Sequence, residues 1–188
     1  GFPRKTSDIP RRIRRNCATL IKQIMANDKT HRGNTSQFYV AAELCRRGLV
    51  AVVTMGNCPN TDVLCSNKEG TKFAHIQVKT FRPRDKDCSV GMKAEKIYGD
   101  NFFWVLCGIP EPDDKDQTFK YYIVSSKEMG RNVRESFELW AKTPGKKGQI
   151  RSQENTFRAV ALPPRKDLNG WDISPYLNNW KMIEDKLK

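Results

Sequence analysis

Residues 61–81 read TDVLCSNKEGTKFAHIQVKTF, and this stretch decides the fold class. Residues 61–65 form a short segment that ends in three apolar residues, and residues 73–81 largely alternate apolar with polar side chains, which is typical of β-strands. The intervening residues 66–70, SNKEG, have the composition of a hairpin turn. The stretch therefore predicts two antiparallel strands joined by a tight turn.

Three polar side chains of this hairpin are predicted to converge. Gln77 and Lys79 share one face of the second strand, because side chains alternate between the two faces of a strand. If the two strands pair across the turn, Asp62 lies near both of them. A carboxylate, an amide oxygen and an ammonium group would then surround one point.

This set of groups suits metal-assisted hydrolysis of a phosphodiester. Asp62 and the side-chain carbonyl of Gln77 offer the oxygen ligands that Mg²⁺ or Mn²⁺ prefers. A bound cation polarises the phosphate and lowers the pKa of a bound water. Lys79 would orient that water or stabilise charge on the phosphate. Each residue also has an ordinary structural role open to it: Asp62 could cap a turn, Gln77 could bond a neighbouring strand, and Lys79 could be solvated.

The other strands and helices predict an α/β fold with a mixed sheet. Apolar runs predict further strands at residues 49–54, 101–109 and 119–124. Apolar periodicity predicts helices up to about residue 26 and over residues 35–47, separated by a polar break at residues 27–33. A capping box at Ser125 predicts a helix running toward Val133, and Ser174 with Pro175 predicts the start of a last helix. Residues 82–100 are predicted to form a polar loop.

The charge of the chain points to a polyanionic partner. The 188 residues include 34 Lys and Arg against 21 Asp and Glu, a net charge of +13, and such an excess favours nucleic acid. No apolar run approaches the ~20 residues of a membrane span, so we expect no membrane association of that kind. The six cysteines form no CxxC pair, which favours reduced thiols and a cytoplasmic protein.

The hairpin motif, together with the helix before it, resembles a known family. Residues 33–80, GNTSQFYVAAELCRRGLVAVVTMGNCPNTDVLCSNKEGTKFAHIQVKT, resemble the PD-(D/E)xK, or restriction-endonuclease-like, nuclease superfamily. More narrowly, residues 33–172 are similar to small bacterial proteins of unassigned role that carry IQVKT. The resemblance implies a central mixed sheet flanked by helices, dependence on Mg²⁺ or Mn²⁺, and a DNA substrate.

The chain departs from the superfamily pattern at three positions. Thr61 stands where the Pro before the Asp is usual, and Gln77 replaces the acidic residue two positions before Lys79. The acid of the first helix is ambiguous, because the family position corresponds to Gln37 whereas the acid actually present is Glu43. Glu43 is favoured as a catalytic residue and metal ligand on chemistry, and Gln37 on position. Glu43 could instead pair with Arg47 at i,i+4.

Basic segments outside the hairpin are predicted to contact nucleic acid. Residues 1–15 are expected to form a basic arm, followed by one nuclease-like domain over residues 16–188. The predicted phosphate-contacting residues are Arg11, Arg12, Arg14 and Arg15 of the arm, and Lys146 and Lys147 of a TPGKKG loop. A homodimer is the expected assembly if both strands of a duplex are cut, because that usually requires two active sites.

The sequence thus favours a metal-dependent DNA endonuclease in which Asp62, Gln77 and Lys79, with Glu43 or Gln37, form the catalytic site. Two other functions stay open. The first is a nucleic-acid-binding protein that kept the nuclease fold without efficient metal binding, which the two glutamines favour. The second is an interaction subunit whose charge serves an acidic partner.

Overall fold

The computed structural model describes residues 11–54, 58–114 and 117–188, with side chains from residue 29 onward. Its helices and strands follow in one order along the chain: α1 (Arg11–Arg46), β1 (Val50–Val53), β2 (Val63–Ser66), β3 (Phe73–Phe81), β4 (Asp87–Ser89), β5 (Phe102–Gly108), β6 (Lys120–Ser125), α2 (Ser126–Lys142), β7 (Ala159–Ala161) and α3 (Lys181–Leu187). Two 3₁₀ turns, Met92–Glu95 and Ser174–Tyr176, precede β5 and α3.

The main sheet is mixed and has five strands in the order β1-β2-β3-β5-β6. β3 and β5 are parallel, and every other neighbouring pair in this sheet is antiparallel. β4 and β7 form a separate two-stranded antiparallel sheet. The predicted α/β architecture, a mixed sheet flanked by helices, is confirmed at this level.

The predicted hairpin is present. β2 and β3 pair antiparallel, with Val63 opposite Ile76 and Ser66 opposite Phe73. Its turn is held by Asn67, whose side-chain oxygen accepts hydrogen bonds of 2.9 Å and 3.1 Å from the backbone N–H groups of Thr71 and Lys72. The register of the two strands, and with it the position of Asp62, is therefore fixed locally.

Each face of the main sheet carries its own apolar core. On the first face, Val40 and Leu44 of α1 pack with Ile76 and Val78 of β3. On the second face, Trp104 and Leu106 of β5 pack with α2 and the small sheet, in a cluster that includes Phe81, Met129, Val133 and Val160. Because Gln77 and Lys79 alternate with Ile76 and Val78, they project from the second face, opposite α1.

The predicted break at residues 27–33 is wrong, because α1 continues through it to Arg46. The polar residues after this stretch bond within the helix: Thr35 Oγ1 donates to the carbonyl of His31 at 2.8 Å, and Ser36 Oγ donates to that of Gly33 at 2.7 Å. Ser36 is fully buried and also bonds Thr80 Oγ1 at 2.6 Å. Contact with β3 thus outweighs the weak helix propensity of the segment.

The other boundaries were predicted with mixed success. The capping box is confirmed, since Ser125 Oγ accepts the backbone N–H of Glu128 at 3.2 Å, but α2 runs to Lys142 rather than ending near Val133. Residues 82–100 are not simply a loop, because they contain β4 and a 3₁₀ turn. Ser174 and Pro175 begin a 3₁₀ turn, and α3 starts only at Lys181.

A half-buried carboxyl group, that of Asp167, lies against the small sheet. Asp167 accepts a hydrogen bond of 3.0 Å from the backbone N–H of Ala161 in β7. The pKa of Asp167 is raised to about 6, mainly by burial and also by the charge of Asp87, although the bond from Ala161 and the charge of Arg165 oppose the rise. The folded state therefore holds a proton on Asp167 in a pH range where the unfolded chain has released it.

We expect Asp167→Asn to stabilise the protein at pH 8 but not at pH 4. Because the pKa of Asp167 is raised in the folded state, the free energy of unfolding falls as the pH rises from about 4 through 6. An asparagine keeps the acceptor for Ala161 without the charge, so the gain should be about 1 kcal/mol after allowance for partial solvent screening. Thermal melts at both pH values would measure it, with exposed Asp100→Asn as the control. Equal effects at both pH values would contradict the prediction.

Within the residues that the structure describes, no helix is both long and apolar enough to cross a membrane.

Candidate active site

The register of β2 and β3 places Asp62 opposite Gln77. Oδ2 of Asp62 accepts a hydrogen bond from Nε2 of Gln77 and a second one, of 2.7 Å, from the backbone N–H of Val78. The backbone N–H of Asp62 donates in turn to the carbonyl of Ile76 at 2.9 Å. Asp62 is therefore held against β3 by its backbone and by its side chain. The structure brings together two of the three residues predicted to converge.

The positive charge of Lys79, the third residue predicted to converge, acts on the Asp62 carboxyl. Burial raises the pKa of the Asp62 carboxyl above its usual value. The hydrogen bond from Val78 opposes that rise, as do the positive charges of Lys79 and Lys93 and the bond from Gln77. Lys79, on the same strand face as Gln77, is thus close enough for its charge to act on Asp62. Lys93, in the 3₁₀ turn before β5, was not predicted from the sequence.

A cleft of about 670 Å³ opens at the carboxyl end of β3. β2 pairs only with residues 73–76 of β3, so the rest of this edge is not covered by a strand. Both faces of β3 line the cleft: Lys79 and Phe81 from one, Val78 and Thr80 from the other. In α/β sheets, ligands bind outside the carboxyl ends of the strands, and the cleft has this location.

The walls of the cleft are mainly basic. Lys29 and Arg32 of α1 contribute from one side, and Arg82 from the segment after β3, with Asp85 as the acidic residue among them. Arg32 also pairs with Glu111 at 2.9 Å, and the backbone N–H of Arg82 donates to Asp85 at 2.7 Å. Lys79 lines this concave, positively charged wall, whereas Asp62 and Gln77 do not line it and Asp62 adjoins it through its bond to Val78. Such a wall favours phosphate-rich ligands.

Glu43 is paired with Arg46 of its own helix and with Arg47, the residue that follows the helix. One of its oxygens accepts a bond of 2.7 Å from Arg46, and the same oxygen accepts one of 3.1 Å from Arg47. The other oxygen also bonds Arg46, at 2.9 Å. The bonds from Arg46 are the main reason that the pKa of Glu43 lies below its usual value, despite partial burial. The pairing with Arg47, which the sequence offered as the alternative to metal ligation, is present.

Gln37 lies on the sheet-facing side of α1. It is half-buried, and it shares this side with the buried residues Val40, Ala41 and Leu44. Gly33, one turn earlier on the same helix row, lines the cleft. The position of Gln37 thus agrees better with a place beside the cleft than that of Glu43, although α1 packs on the face opposite Gln77.

The predicted nucleic-acid contacts outside the hairpin are only partly described. Residues 1–10 of the predicted arm lie outside the described residues. Arg11, Arg12, Arg14 and Arg15 fall in the first turns of α1, and their side chains are also outside the described part. Lys146 and Lys147 are exposed in the loop after α2, and neither is among the residues that line the cleft.

Sequence reasoning missed the basic residues of the cleft that come from α1. Lys29 and Arg32 lie in the segment that was interpreted as a break between two helices. In a continuous helix, positions 29, 32, 33 and 36 fall on one side, and this spacing is the signal that could have found them.

The oxygen ligands available at the site suit a metal ion that retains most of its bound water molecules. Among the described residues, no three His, Cys, Asp or Glu side chains converge to hold a metal ion. Mg²⁺ usually retains several waters and binds through one or two carboxylates together with substrate phosphates. Asp62 and the amide oxygen of Gln77 meet this lower requirement if the Gln77 amide turns, because its nitrogen now faces Asp62.

Comparisons of the chain with protein-family models, with curated proteins and with solved structures found no match.

Proposed function

We propose that this chain is a metal-dependent nuclease with a restriction-endonuclease-like core that hydrolyses phosphodiester bonds in DNA. The observation that carries the proposal is the pairing of Asp62 with Gln77, within range of the Lys79 charge, at the edge of a basic cleft. A carboxylate for a hard cation, an ammonium group and a phosphate-binding wall are the parts that such a reaction requires.

Each residue has a distinct role in the proposed reaction. Asp62 and, after rotation of its amide, Gln77 would hold Mg²⁺ or Mn²⁺, which supplies charge neutralisation and a more acidic water. Lys79 orients the attacking water and stabilises negative charge on the phosphate. Lys29, Arg32 and Arg82 hold the backbone of the substrate in the cleft. Cytoplasmic location and a homodimer are part of the same proposal.

The deciding experiment is incubation of the full chain with single-stranded, duplex and branched DNA, and with RNA, in Mg²⁺, Mn²⁺ or a chelator. Metal-dependent release of DNA fragments would support the proposal. Absence of cleavage on every substrate, with binding retained, would favour the second candidate below. Absence of binding at low salt would contradict both and leave the interaction subunit.

The second candidate is a nucleic-acid-binding protein without catalysis. The observation in its favour is that Oδ2 of Asp62 already accepts from two donors, Gln77 and Val78, and so this oxygen is satisfied without a cation. Glu43, the acid predicted from the helix, is engaged by two arginines. Binding would then rest on the basic cleft and should weaken steeply with salt.

Gln77→Glu separates the two candidates. It places a second carboxylate beside Asp62, where the two like charges repel without a cation and cooperate with one. For a nuclease we expect Mn²⁺ affinity to rise about tenfold or more, because ligand charge sets the affinity of hard cations. Calorimetric titration would measure this, with exposed Gln149→Glu as the control. An unchanged Mn²⁺ affinity would show that Asp62 and residue 77 do not form a metal site.

A further inference from the structure

A second concave site lies beside the cleft, between the end of α2 and the small sheet. It encloses about 200 Å³, and we call it the aromatic pocket. Its apolar wall consists of Phe137, Trp140, Phe157 and Leu168, and its polar groups include Asp167. Drug-sized ligands usually occupy about 300–1,000 Å³, so this pocket has room for a single small ring system.

Two rings and two arginines form one stack along the wall of the pocket, and a third ring, Phe157, stands exposed at its rim. Phe137 and Trp140 stack with a centroid distance of 5.6 Å and an interplanar angle of 23°. Arg158 lies 3.2 Å from the centre of the Phe137 ring, and Arg151 lies 4.8 Å from that of Trp140. Phe157, with 63% of its surface exposed, stands at the rim without a ring partner among the described aromatic pairs.

Asp167 gives the pocket an acceptor for hydrogen bonds. Its Oδ1 accepts the bond from Ala161, whereas its Oδ2 has no partner within the described part of the chain. A carboxylate oxygen at an aromatic wall matches the amino and imino N–H groups on the edges of nucleobases, which guanine, adenine and cytosine all present.

The pocket and the cleft meet across two paired strands. Ser89 of β4 lines the cleft, Ala159 of β7 lines the pocket, and these two residues are direct partners in the small sheet. Paired strands are only ~4.8 Å apart. Arg158 of the pocket also pairs with Glu95, in the same 3₁₀ turn as Lys93, whose charge acts on Asp62. A backbone lying in the cleft therefore passes beside the aromatic pocket.

We propose that the aromatic pocket binds one unstacked nucleobase of the strand whose phosphates lie in the cleft, so that the substrate is single-stranded or locally unpaired nucleic acid. This inference rests on the proposed function for the occupant of the cleft. A base inside a duplex cannot reach such a pocket without leaving the stack, which costs free energy that an unpaired base does not. Stacking on Phe157, the exposed ring of the pocket, gives affinity without a strict sequence requirement.

The first test measures binding in a chelator, where no cleavage interferes. The full chain is titrated with a single-stranded DNA oligomer and with an oligomer of equal length and charge in which every base is removed. We expect the wild-type chain to bind the base-containing oligomer about tenfold more tightly. Equal affinity for the two oligomers would overturn the proposal.

Matched phenylalanine variants assign the preference to the pocket. Phe157→Ala should abolish most of the tenfold preference for the base-containing oligomer. The control is Phe73→Ala on β3, where Phe73 is 47% exposed, and this variant should retain the preference. Both residues are largely exposed, so both variants should fold. Equal losses in the two variants would contradict a role for the pocket. A duplex of the same length should bind with no dependence on Phe157.

Guanosine monophosphate probes the pocket independently of the proposed function. We expect it to quench tryptophan fluorescence in a saturable manner, and Trp140→Phe to remove the quench while the three other tryptophans remain. If the chain binds no oligomer but shows this quench, the proposed function fails and the pocket stands. If oligomers bind without any dependence on Phe157 and no quench occurs, the pocket fails and the proposed function is untouched.

Discussion

Asp62→Ala should abolish DNA cleavage, and a chelator should abolish cleavage by the wild-type chain. Both results follow from the scarcity of carboxylates at the site: Asp62 is the one acid that pairs with Gln77, and Glu43 is engaged by Arg46 and Arg47. Loss of Asp62 leaves, among the described residues of the site, the amide oxygen of Gln77, which a hydrated divalent cation does not select over water. Initial rates in Mg²⁺, Mn²⁺ and chelator would measure the effect.

One control variant and one pH dependence make this prediction specific. Asp100→Ala removes an exposed aspartate elsewhere and should leave the rate unchanged. Because burial raises the pKa of Asp62, protons compete with the cation at a higher pH than at an ordinary aspartate. The affinity for Mn²⁺ should therefore begin to fall at a correspondingly higher pH. Full cleavage by the wild-type chain in chelator would refute the proposed mechanism.

The parts of the fold that depend on residues close together in the sequence could be predicted. The alternation of residues 73–81 gave β3, and a short turn fixed its register with β2. Ser125 capped α2 as its capping box indicated. β4 and β7 could not be predicted, because each has three residues and they pair across more than seventy positions of sequence. Three residues carry no measurable periodicity.

In the candidate site, too, the contacts set by local sequence could be predicted, and those set by tertiary packing could not. The contact between Asp62 and Gln77 follows from the hairpin register, so local pattern was sufficient. The cleft depends on how α1 packs on β3, through the buried contact of Ser36 with Thr80, and no spacing in the sequence encodes that contact. The i,i+4 spacing predicts the pairing of Glu43 with Arg47 as the alternative to metal ligation, whereas the pairing with Arg46 appears only in the structure.

Lys79→Ala should reduce the cleavage rate by about 100-fold or more while DNA affinity changes little. Removal of one preorganised charge that acts on the transition state typically costs this much, whereas the cleft retains Lys29, Arg32 and Arg82 for binding. The matched control is Lys93→Ala. Both charges lower the pKa of Asp62, but Lys79 projects from the strand face of Gln77 and Lys93 is exposed on a 3₁₀ turn.

The pH dependence of the two lysine variants distinguishes catalysis from simple charge balance. Each loss should raise the pKa of Asp62 further and move the acid limb of the rate profile to higher pH. Only Lys79→Ala should also lower the rate on the pH plateau, because there Asp62 is ionised in both variants and the remaining difference is the ammonium group at the reacting phosphate. If the cleavage rate on the pH plateau falls equally in both variants, Lys79 acts through the overall positive potential of the cleft and not directly on the phosphate. If neither loses it, the ammonium group of Lys79 has no role in cleavage.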